Sequence, residues 1–361
     1  MIKEELERRR IPSPFTDADG TEILCREDWE KNRNRIREIL SYEEYGNLPP
    51  KPDQIFFSTV SANRRFCASE ATLEKIIMTV VMNGRAFSFP FYLTYPNKEG
   101  RYPAVILINF KDNVPHTFLP SEEINSQGIA VASFCYTDFT TDNWDFTNGF
   151  SGLLFPDGNR GSHDTGKISM WAWAAMRIFD YLETLDKIDS KNIGVAGHSR
   201  LGKTALYTGA FDERFAFTYS NDSGCGGAAL SRDKMGEDLT AAYSRFGFWF
   251  CEYFARYQGH EHDMPHDQHF LHSLVAPRNL YVASAETDQW ADPESEYLAC
   301  SAASKAYEYY GKKGIVCPDR FPRPDEYFHE GSIGYHLRSG SHYLSRRDWN
   351  LFIKYMKENL R

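Results

Sequence analysis

The chain has 361 residues, of which 42% are hydrophobic, 25% charged and 15% aromatic, a composition that excludes disorder, collagen and coiled coil. The formal net charge is −9, and no basic stripe is present, so we expect neither nucleic acid nor an anionic membrane as a partner. The seven cysteines form no CxxC pair, which excludes zinc-ribbon and thioredoxin-like sites.

The beginning of the chain carries no targeting pattern. Residues 1–10 are mostly charged and lack the apolar stretch of a signal peptide. No run of 18 apolar residues occurs anywhere, so we expect no membrane-spanning helix. Scattered cysteines are typical of a reducing compartment. We therefore expect a cytoplasmic protein.

The first elements in chain order are an N-terminal segment and a hairpin. Residues 1–50 are polar, with a helical patch near 27–42, and end at Pro49-Pro50, where we predict a boundary. Residues 73–81 and 86–95 are predicted strands joined at Asn83-Gly84, a hairpin turn signal. We expect residues 1–50 to be a helical or extended segment and residues 51–361 to be one domain.

The remaining chain alternates strands with helices. Apolar runs at 104–109 and 128–134 are typical of strands buried on both faces of a parallel sheet. Further strands are predicted at 192–196, 215–220, 279–284 and 333–337, and helices at 168–185, just after 199, at 293–310 and at 348–360. Residues 138–166 are predicted to be a long loop, and 230–275 an insertion or lid. The pattern predicts an α/β protein with a mainly parallel sheet between two layers of helices.

A candidate nucleophile lies in segment 197–203, Gly-His-Ser-Arg-Leu-Gly-Lys, between a short strand and a helix. A sharp strand-to-helix turn exposes a serine hydroxyl at the sheet edge and leaves a backbone N–H free to stabilise an oxyanion. The usual elbow is G-x-S-x-G, but here the second glycine is Gly202, three residues after Ser199. The alternative is a tight turn with an incidental serine.

Hydrolases of this type need an acid and a histidine later in the chain. The strand 279–284 leads into Glu286 and Asp288, and the strand 333–337 leads into His342. An orienting acid and a general base belong at these strand ends. Alternatively, Asp288 caps a helix and His342 is a surface residue, but three residues in the required order favour the catalytic interpretation.

Several segments resemble motifs of the glucuronoyl esterases, carbohydrate esterase family fifteen. The resemblance begins with Gly-His-Ser-Arg-Leu-Gly-Lys, including the glycine three residues after the serine, and covers about residues 40–361. It continues in segments 220–232, 267–269, 276–278, 284–293 and 340–342. The bacterial branch of the family is closer than the fungal one. The resemblance implies an α/β-hydrolase fold and hydrolysis of esters of 4-O-methyl-glucuronate.

The resemblance also implies site residues. Ser199 is the expected nucleophile and His342 the expected base. Some members take the acid from the later strand, here Asp288, while others use a carboxylate 23 residues after the serine, here Asp222. That second carboxylate is usually glutamate, so Asp222 is shorter than expected. Asp288 is preferred, with Asp222 and then Glu286 as the alternatives.

Two cations follow the serine. Lys203 stands four residues after Ser199, on the same helix face, and its ammonium is expected to reach the substrate. The backbone N–H and guanidinium of Arg200 can both serve an oxyanion. The resemblance implies these same roles, with Lys203 on sugar hydroxyls. Alternatively, both are solvated surface cations, although cations at a helix start oppose the helix dipole.

Two aromatic residues complete the expected site. Trp290 matches a tryptophan that contacts the uronate in the family. The alternative interpretation is that Trp290 packs in the core. Phe110 follows a predicted strand, where a second oxyanion donor usually sits, and is expected to wall the pocket.

Other patterns favour no cofactor and no metal. Residues 260–272 contain five histidines with acidic neighbours, but no HExxH pattern is present, and the family needs no catalytic metal. We expect a polar loop there, with His269 structural. The glycines at 224, 226 and 227 lack the following Lys-Ser/Thr of a phosphate loop.

The sequence therefore predicts a serine carbohydrate esterase that acts on glucuronate esters through an acyl-enzyme. The alternatives are an acetyl esterase acting on xylo-oligosaccharides or a uronate methyl esterase, since polymeric substrates do not enter cells. An alternative from another class is a non-catalytic carbohydrate-binding relative. In that case Ser199, His342 and the candidate acids would not converge.

Overall fold

A ten-stranded sheet forms the centre of the computed structural model, which describes residues 1–361. Its strand order is β1-β2-β3-β5-β4-β6-β7-β8-β10-β9. Six parallel strands form the middle: β4 (Tyr102–Asn109), β5 (Ala130–Cys135), β6 (Ile188–His198), β7 (Phe217–Asn221), β8 (Asn279–Ala285) and β10 (Ile333–Arg338). The antiparallel edges are β1 (Gln54–Phe66), β2 (Ala71–Met82) and β3 (Arg85–Pro96) on one side and β9 (Tyr327–Phe328) on the other.

Helices cover both faces of this sheet. They are α1 (Ile2–Arg8), α2 (Arg26–Leu40), α3 (Ser121–Ser126), α4 (Tyr136–Phe139), α5 (Gly149–Leu154), α6 (Lys167–Leu182), α7 (Arg200–Phe211), α8 (Leu239–Phe246), α9 (His269–Val275), α10 (Pro293–Ala302), α11 (Ser304–Glu308) and α12 (Arg346–Glu358). Successive strand residues point to opposite faces, so Ile106 joins a core with Trp171 of α6, while Val105 joins a core with Phe352 of α12. The predicted three-layer α/β architecture is confirmed.

Most predicted elements are present near their expected bounds, and the hairpin turn at Asn83-Gly84 joins β2 to β3. Two expectations were wrong in detail, and β1 was not predicted. The residues of β1 are mostly exposed and show no apolar alternation. The predicted loop 138–166 contains α5, and the predicted helix 293–310 is two helices separated at Ala303.

The N-terminal segment shares the main core. Trp29, Ile36 and Leu40 of α2 are buried in the same cluster as α6 and α7. The segment 230–275 contains α8, short 3₁₀ turns and α9, and every residue of α9 is buried. The domain boundary at residue 50 and the lid in 230–275 stay predictions. None of the helices combines the length and apolarity needed to cross a bilayer.

Parallel strands bring their carboxyl ends to one edge of the sheet. The turns after β6, β8 and β10 carry Ser199, Asp288 and His342. This edge is where sites form in open α/β sheets.

Candidate active site

Ser199 occupies a strained turn between β6 and α7. Its backbone has φ 57° and ψ −129°, a conformation that non-glycine residues rarely adopt and that is found at functional sites. The Ser199 N–H donates to the carbonyl of Asn221 at 2.9 Å, which fixes the turn against β7. Arg200 begins α7, so its N–H has no intrahelical acceptor. The turn therefore has the geometry of a nucleophile elbow.

The position of the second glycine follows from close packing at this turn. A Cβ on Gly197 would lie 2.0 Å from the Leu201 carbonyl oxygen, and a Cβ on Gly202 would lie 2.9 Å from the Asn221 carbonyl oxygen. The position two after the serine, Leu201, is instead a buried core side chain. The glycine is required where α7 meets β7, which accounts for the departure from G-x-S-x-G.

His342 is paired with Asp288. Its Nδ1 lies 2.6 Å from the Asp288 Oδ2, and the Asp288 side chain is buried while that of His342 is 44% exposed. Burial alone would raise the pKa of Asp288, but the hydrogen bond and charge of His342 hold it below its usual range. An ionised carboxylate on Nδ1 leaves Nε2 as the free basic atom of the ring.

Asp222 lies in the same cluster, but it is held by other groups. Ligand atoms of Asp222, Asp288 and His342 all lie within 4.8 Å of one another. The Asp222 Oδ2 accepts from Arg338 Nη2 at 3.3 Å and from the Tyr343 N–H at 3.2 Å. Burial, with the nearby carboxylate of Glu296, raises the pKa of Asp222 well above its usual range. The structure therefore brings both candidate acids together and bonds His342 to Asp288. Glu286, the third alternative, is exposed and makes no hydrogen bond to His342.

His198, which the sequence did not single out as a functional residue, links the elbow to His342. Its ring centroid lies 4.4 Å from that of His342, and its Nδ1 lies 2.6 Å from the Asn221 Oδ1. Burial, with the neighbouring His342, lowers the pKa of His198 to about 3. A neutral His198 packs against His342 beside Ser199. No hydrogen bond joins Ser199 to His342 here, which is common in ligand-free sites.

Arg200 is fixed in a cage of aromatic and acidic groups. Its guanidinium pairs with Asp142 and lies 4.9 Å from the ring centroid of Trp249 and 5.2 Å from that of Phe246. The Asp142 carboxylate also accepts from the Trp249 indole N–H at 2.7 Å. Such a paired and stacked guanidinium is held in one direction. The alternative of a freely solvated cation is wrong for Arg200.

Lys203 is buried, and its ammonium is occupied. Nζ donates to the carbonyls of Ser223 and Cys225, each at 2.5 Å, and lies 3.6 Å from the Glu237 carboxylate. The side chain is 4% exposed, so the alternative of a solvated surface cation is wrong here too. The Lys203 ammonium was also expected to be free to contact the substrate. It is not free, because three acceptors already surround Nζ. A role on sugar hydroxyls stays a prediction.

Trp290 is 48% exposed, which rules out core packing for this side chain. The Arg245 guanidinium lies 5.4 Å from its ring centroid. Phe110 is partly buried, with its ring centroid 6.3 Å from that of His198. The Phe110 N–H is bonded to the Asn109 Oδ1 at 2.8 Å, so it is not free as the second oxyanion donor. Its role as a pocket wall stays a prediction.

Besides His198, sequence reasoning missed three residues that build this site: Asp142, Trp249 and Glu237. Each comes from an irregular segment, so no strand end or periodic pattern announced it. The only signal was polar and aromatic residues in the two segments that interrupt the α/β pattern, 138–166 and 230–275.

The histidine-rich segment contains side chains with separate partners. His266 Nε2 lies 2.7 Å from the Glu44 carboxylate, His269 Nε2 lies 2.9 Å from the Pro12 carbonyl, and His272 Nδ1 lies 2.9 Å from the Gln268 carbonyl. These three side chains do not converge on one point. His269 thus ties α9 to the N-terminal segment, as a structural residue would.

Comparison with known proteins gives consistent matches. A family model described as "Glucuronyl esterase, fungi" matches residues 78–311. A carbohydrate esterase from an unknown prokaryotic organism is 31% identical over 391 residues, covering 97% of this chain and 89% of that protein. The 4-O-methyl-glucuronoyl methylesterase of Schizophyllum commune is 31% identical over 315 residues, covering 83% of this chain and 74% of that protein. The solved glucuronoyl esterase from Solibacter usitatus has a TM-score of 0.88 and 31% identity, covering 96% of this chain and 97% of that chain.

Proposed function

We propose a function from one established premise: this chain belongs to the glucuronoyl esterase family and is a carboxylic ester hydrolase with the α/β-hydrolase fold. On that premise, it cleaves esters in which glucuronate, or 4-O-methyl-glucuronate, is the acid. The name of the Schizophyllum commune relative supports this substrate class. No cofactor is needed for the reaction, since all the chemistry is proton transfer and acyl transfer.

The observation that carries the proposal is the short His342–Asp288 contact beside the strained turn of Ser199. In the proposed reaction, the Ser199 Oγ attacks the ester carbonyl while His342 Nε2 takes its proton. The alcohol leaves with that proton, and a glucuronoyl ester remains on Ser199. Water then attacks this acyl-enzyme with His342 as base, which releases glucuronate and regenerates Ser199.

The oxyanion that forms on the carbonyl needs positive groups nearby. The Arg200 N–H stands at the start of α7, and its guanidinium is held rigidly by Asp142 and Trp249. Preorganised donors stabilise such a charge without having to reorganise during the reaction. We assign both groups of Arg200 to the oxyanion. The same cation then lies close to the carboxylate of the glucuronate product.

The sugar ring is proposed to lie along a wall that starts at Arg200. Trp249 stands between two cations, with the Arg200 Cζ 4.9 Å and the Lys203 Nζ 5.7 Å from its ring centroid. Glu237 adjoins Lys203, and its N–H donates to the Trp290 carbonyl at 2.9 Å. The buried Lys203 and Glu237 hold this wall from behind through their ion pair, and Trp290 offers the sugar an exposed aromatic face.

The test is hydrolysis of benzyl glucuronate, methyl glucuronate and acetylated xylo-oligosaccharide, measured side by side. The wild type is expected to cleave the two glucuronate esters, and Ser199→Ala is expected to cleave none. Ser61→Ala, at an exposed serine of β1, is the matched control and should equal the wild type. Release of acetate alone would overturn the substrate assignment. Equal inactivity of wild type and Ser199→Ala would favour a carbohydrate-binding protein.

A further inference from the structure

Arg338 ends β10 with a guanidinium buried between two carboxylates. Its Nη2 lies 3.3 Å from the Asp222 Oδ2, and its Nε lies 2.9 Å from the Asp348 Oδ2. Asp348 also accepts from His336 Nε2 at 2.7 Å and from the Ser345 N–H at 2.6 Å, as part of the capping box that begins α12. Arg338 is therefore anchored to a fixed helix start on one side and touches a candidate catalytic acid on the other.

The same guanidinium holds the loop that carries His342. Its Nη2 donates to the carbonyl of Ser341 at 2.7 Å and to that of Tyr343 at 2.5 Å. These are the residues immediately before and after His342. The backbone on both sides of the histidine is thus held by one buried side chain. A guanidinium suits this arrangement because its N–H groups lie in one rigid plane, whereas an ammonium has three donors on a flexible stem.

We propose that Arg338 is a positioning residue for His342. It fixes the backbone around the imidazole, and it pairs with Asp222 so that Asp288 alone bonds His342 Nδ1. This inference rests on the proposed function, since positioning matters for the rate only if His342 is the base.

The two contacts have separate consequences. Without the Ser341 and Tyr343 bonds, the loop that carries His342 is free to shift, and misplacement of a catalytic group by about 1 Å costs about 100-fold in rate. Without the Asp222 contact, a second carboxyl group within 4.8 Å of His342 is released to compete for the ring. Arg338 therefore selects between two acids that lie in one cluster.

The experiment compares Arg338→Lys with Arg278→Lys. Arg278 is a matched control because it is as deeply buried and donates to the carbonyls of Gly209, Phe215 and Leu274, at the opposite end of β8 from Asp288. For Arg338→Lys we expect kcat on benzyl glucuronate to fall about 100-fold with KM nearly unchanged. For Arg278→Lys we expect a lowered Tm with kcat within about twofold of the wild type. Equal kcat in the two variants would overturn the proposal.

A second measurement does not depend on activity. The Nδ1–H proton of His342, bonded to Asp288, should give a low-field proton NMR signal, assigned by its loss in His342→Gln. We expect Arg338→Lys to lose or shift this signal and Arg278→Lys to keep it. If the wild type cleaves no glucuronate ester but the signal responds in this way, the proposed function fails and the positioning role stands. An unchanged signal in Arg338→Lys would overturn the positioning role. If the lysine variant does not fold, Arg338→Gln is measured by the same two criteria.

Discussion

The Nδ1 of His342 lies 2.6 Å from the Oδ2 of Asp288, while Asp222, in the same cluster, makes its hydrogen bonds to Arg338 and Tyr343. The pKa values of the two aspartates are also shifted in opposite directions from the ordinary value. The bond to His342 holds the pKa of Asp288 low, whereas burial beside Glu296 raises that of Asp222. An acid that stabilises an imidazolium must be ionised. These opposite directions favour Asp288 over Asp222 as the acid that serves His342.

The cage around Arg200 gives a prediction about rate. In Asp142→Asn the guanidinium loses its ionic partner, so the oxyanion donor is held less firmly. We expect kcat on benzyl glucuronate to fall about tenfold with a small change in KM. Asp145→Asn is the control, since Asp145 lies three residues away and bonds only within its own loop through its side chain. Equal kcat in Asp142→Asn and the wild type would show that Arg200 does not stabilise the oxyanion.

The exposed tryptophan at the rim gives a prediction about binding. In Trp290→Ala the sugar loses an aromatic face, and we expect KM for methyl glucuronate to rise about tenfold with kcat little changed. Trp144 is a suitable comparison, because it is the other exposed tryptophan of the chain. We expect Trp144→Ala to leave KM within about twofold of the wild type. A similar rise in both variants would show that Trp290 has no special place in uronate binding.

Glu296 gives a prediction about stability and pH. Its buried carboxylate accepts from the N–H groups of Ser223 and Gly224 at 2.8 Å and from the Ser284 hydroxyl at 2.5 Å. Burial outweighs these bonds and raises the pKa of Glu296 to about 7, from an ordinary value of 4.5. The folded state therefore holds this proton more tightly, and the contribution to stability is lost as pH rises from 4.5 through 7.

The measurement is urea unfolding of the wild type and Glu296→Gln at pH 5 and pH 8. Glutamine is neutral at both pH values, so the variant lacks this pH-dependent loss. We expect the free energy of unfolding of Glu296→Gln, relative to the wild type, to increase by roughly 1–3 kcal/mol between pH 5 and pH 8. A difference that does not change with pH would show that Glu296 titrates normally in the folded protein.

Regular elements and chain order made much of this site predictable. Ser199, Asp288 and His342 follow strand ends, so their meeting at one sheet edge follows from the parallel topology. The sequence could not decide between Asp288 and Asp222 as the acid. The two residues follow the neighbouring strands β8 and β7, so both side chains lie next to His342. The structure shows that Arg338, at the end of β10, donates a hydrogen bond to Asp222. Asp288 is the acid that bonds His342.

The rest of the site depends on contacts that leave no pattern in a sequence. Asp142 and Trp249 are 107 residues apart in the chain and meet over Arg200 from segments with no regular period. Lys203 was expected to face substrate from its helical spacing, but its ammonium is held by backbone carbonyls of the turn after β7. The edge strand β1 escaped prediction because most of its side chains are exposed and only Ile55 and Phe57 pack against the core, which leaves no sustained apolar alternation.

The most direct test of the account is kcat on benzyl glucuronate for the wild type, Asp288→Asn and Asp222→Asn. Asparagine keeps the size of each side chain and cannot carry a negative charge. We expect a fall of about 10³- to 10⁴-fold for Asp288→Asn and less than about tenfold for Asp222→Asn. A large fall for Asp222→Asn with a nearly normal Asp288→Asn would contradict it and make Asp222 the acid that serves His342.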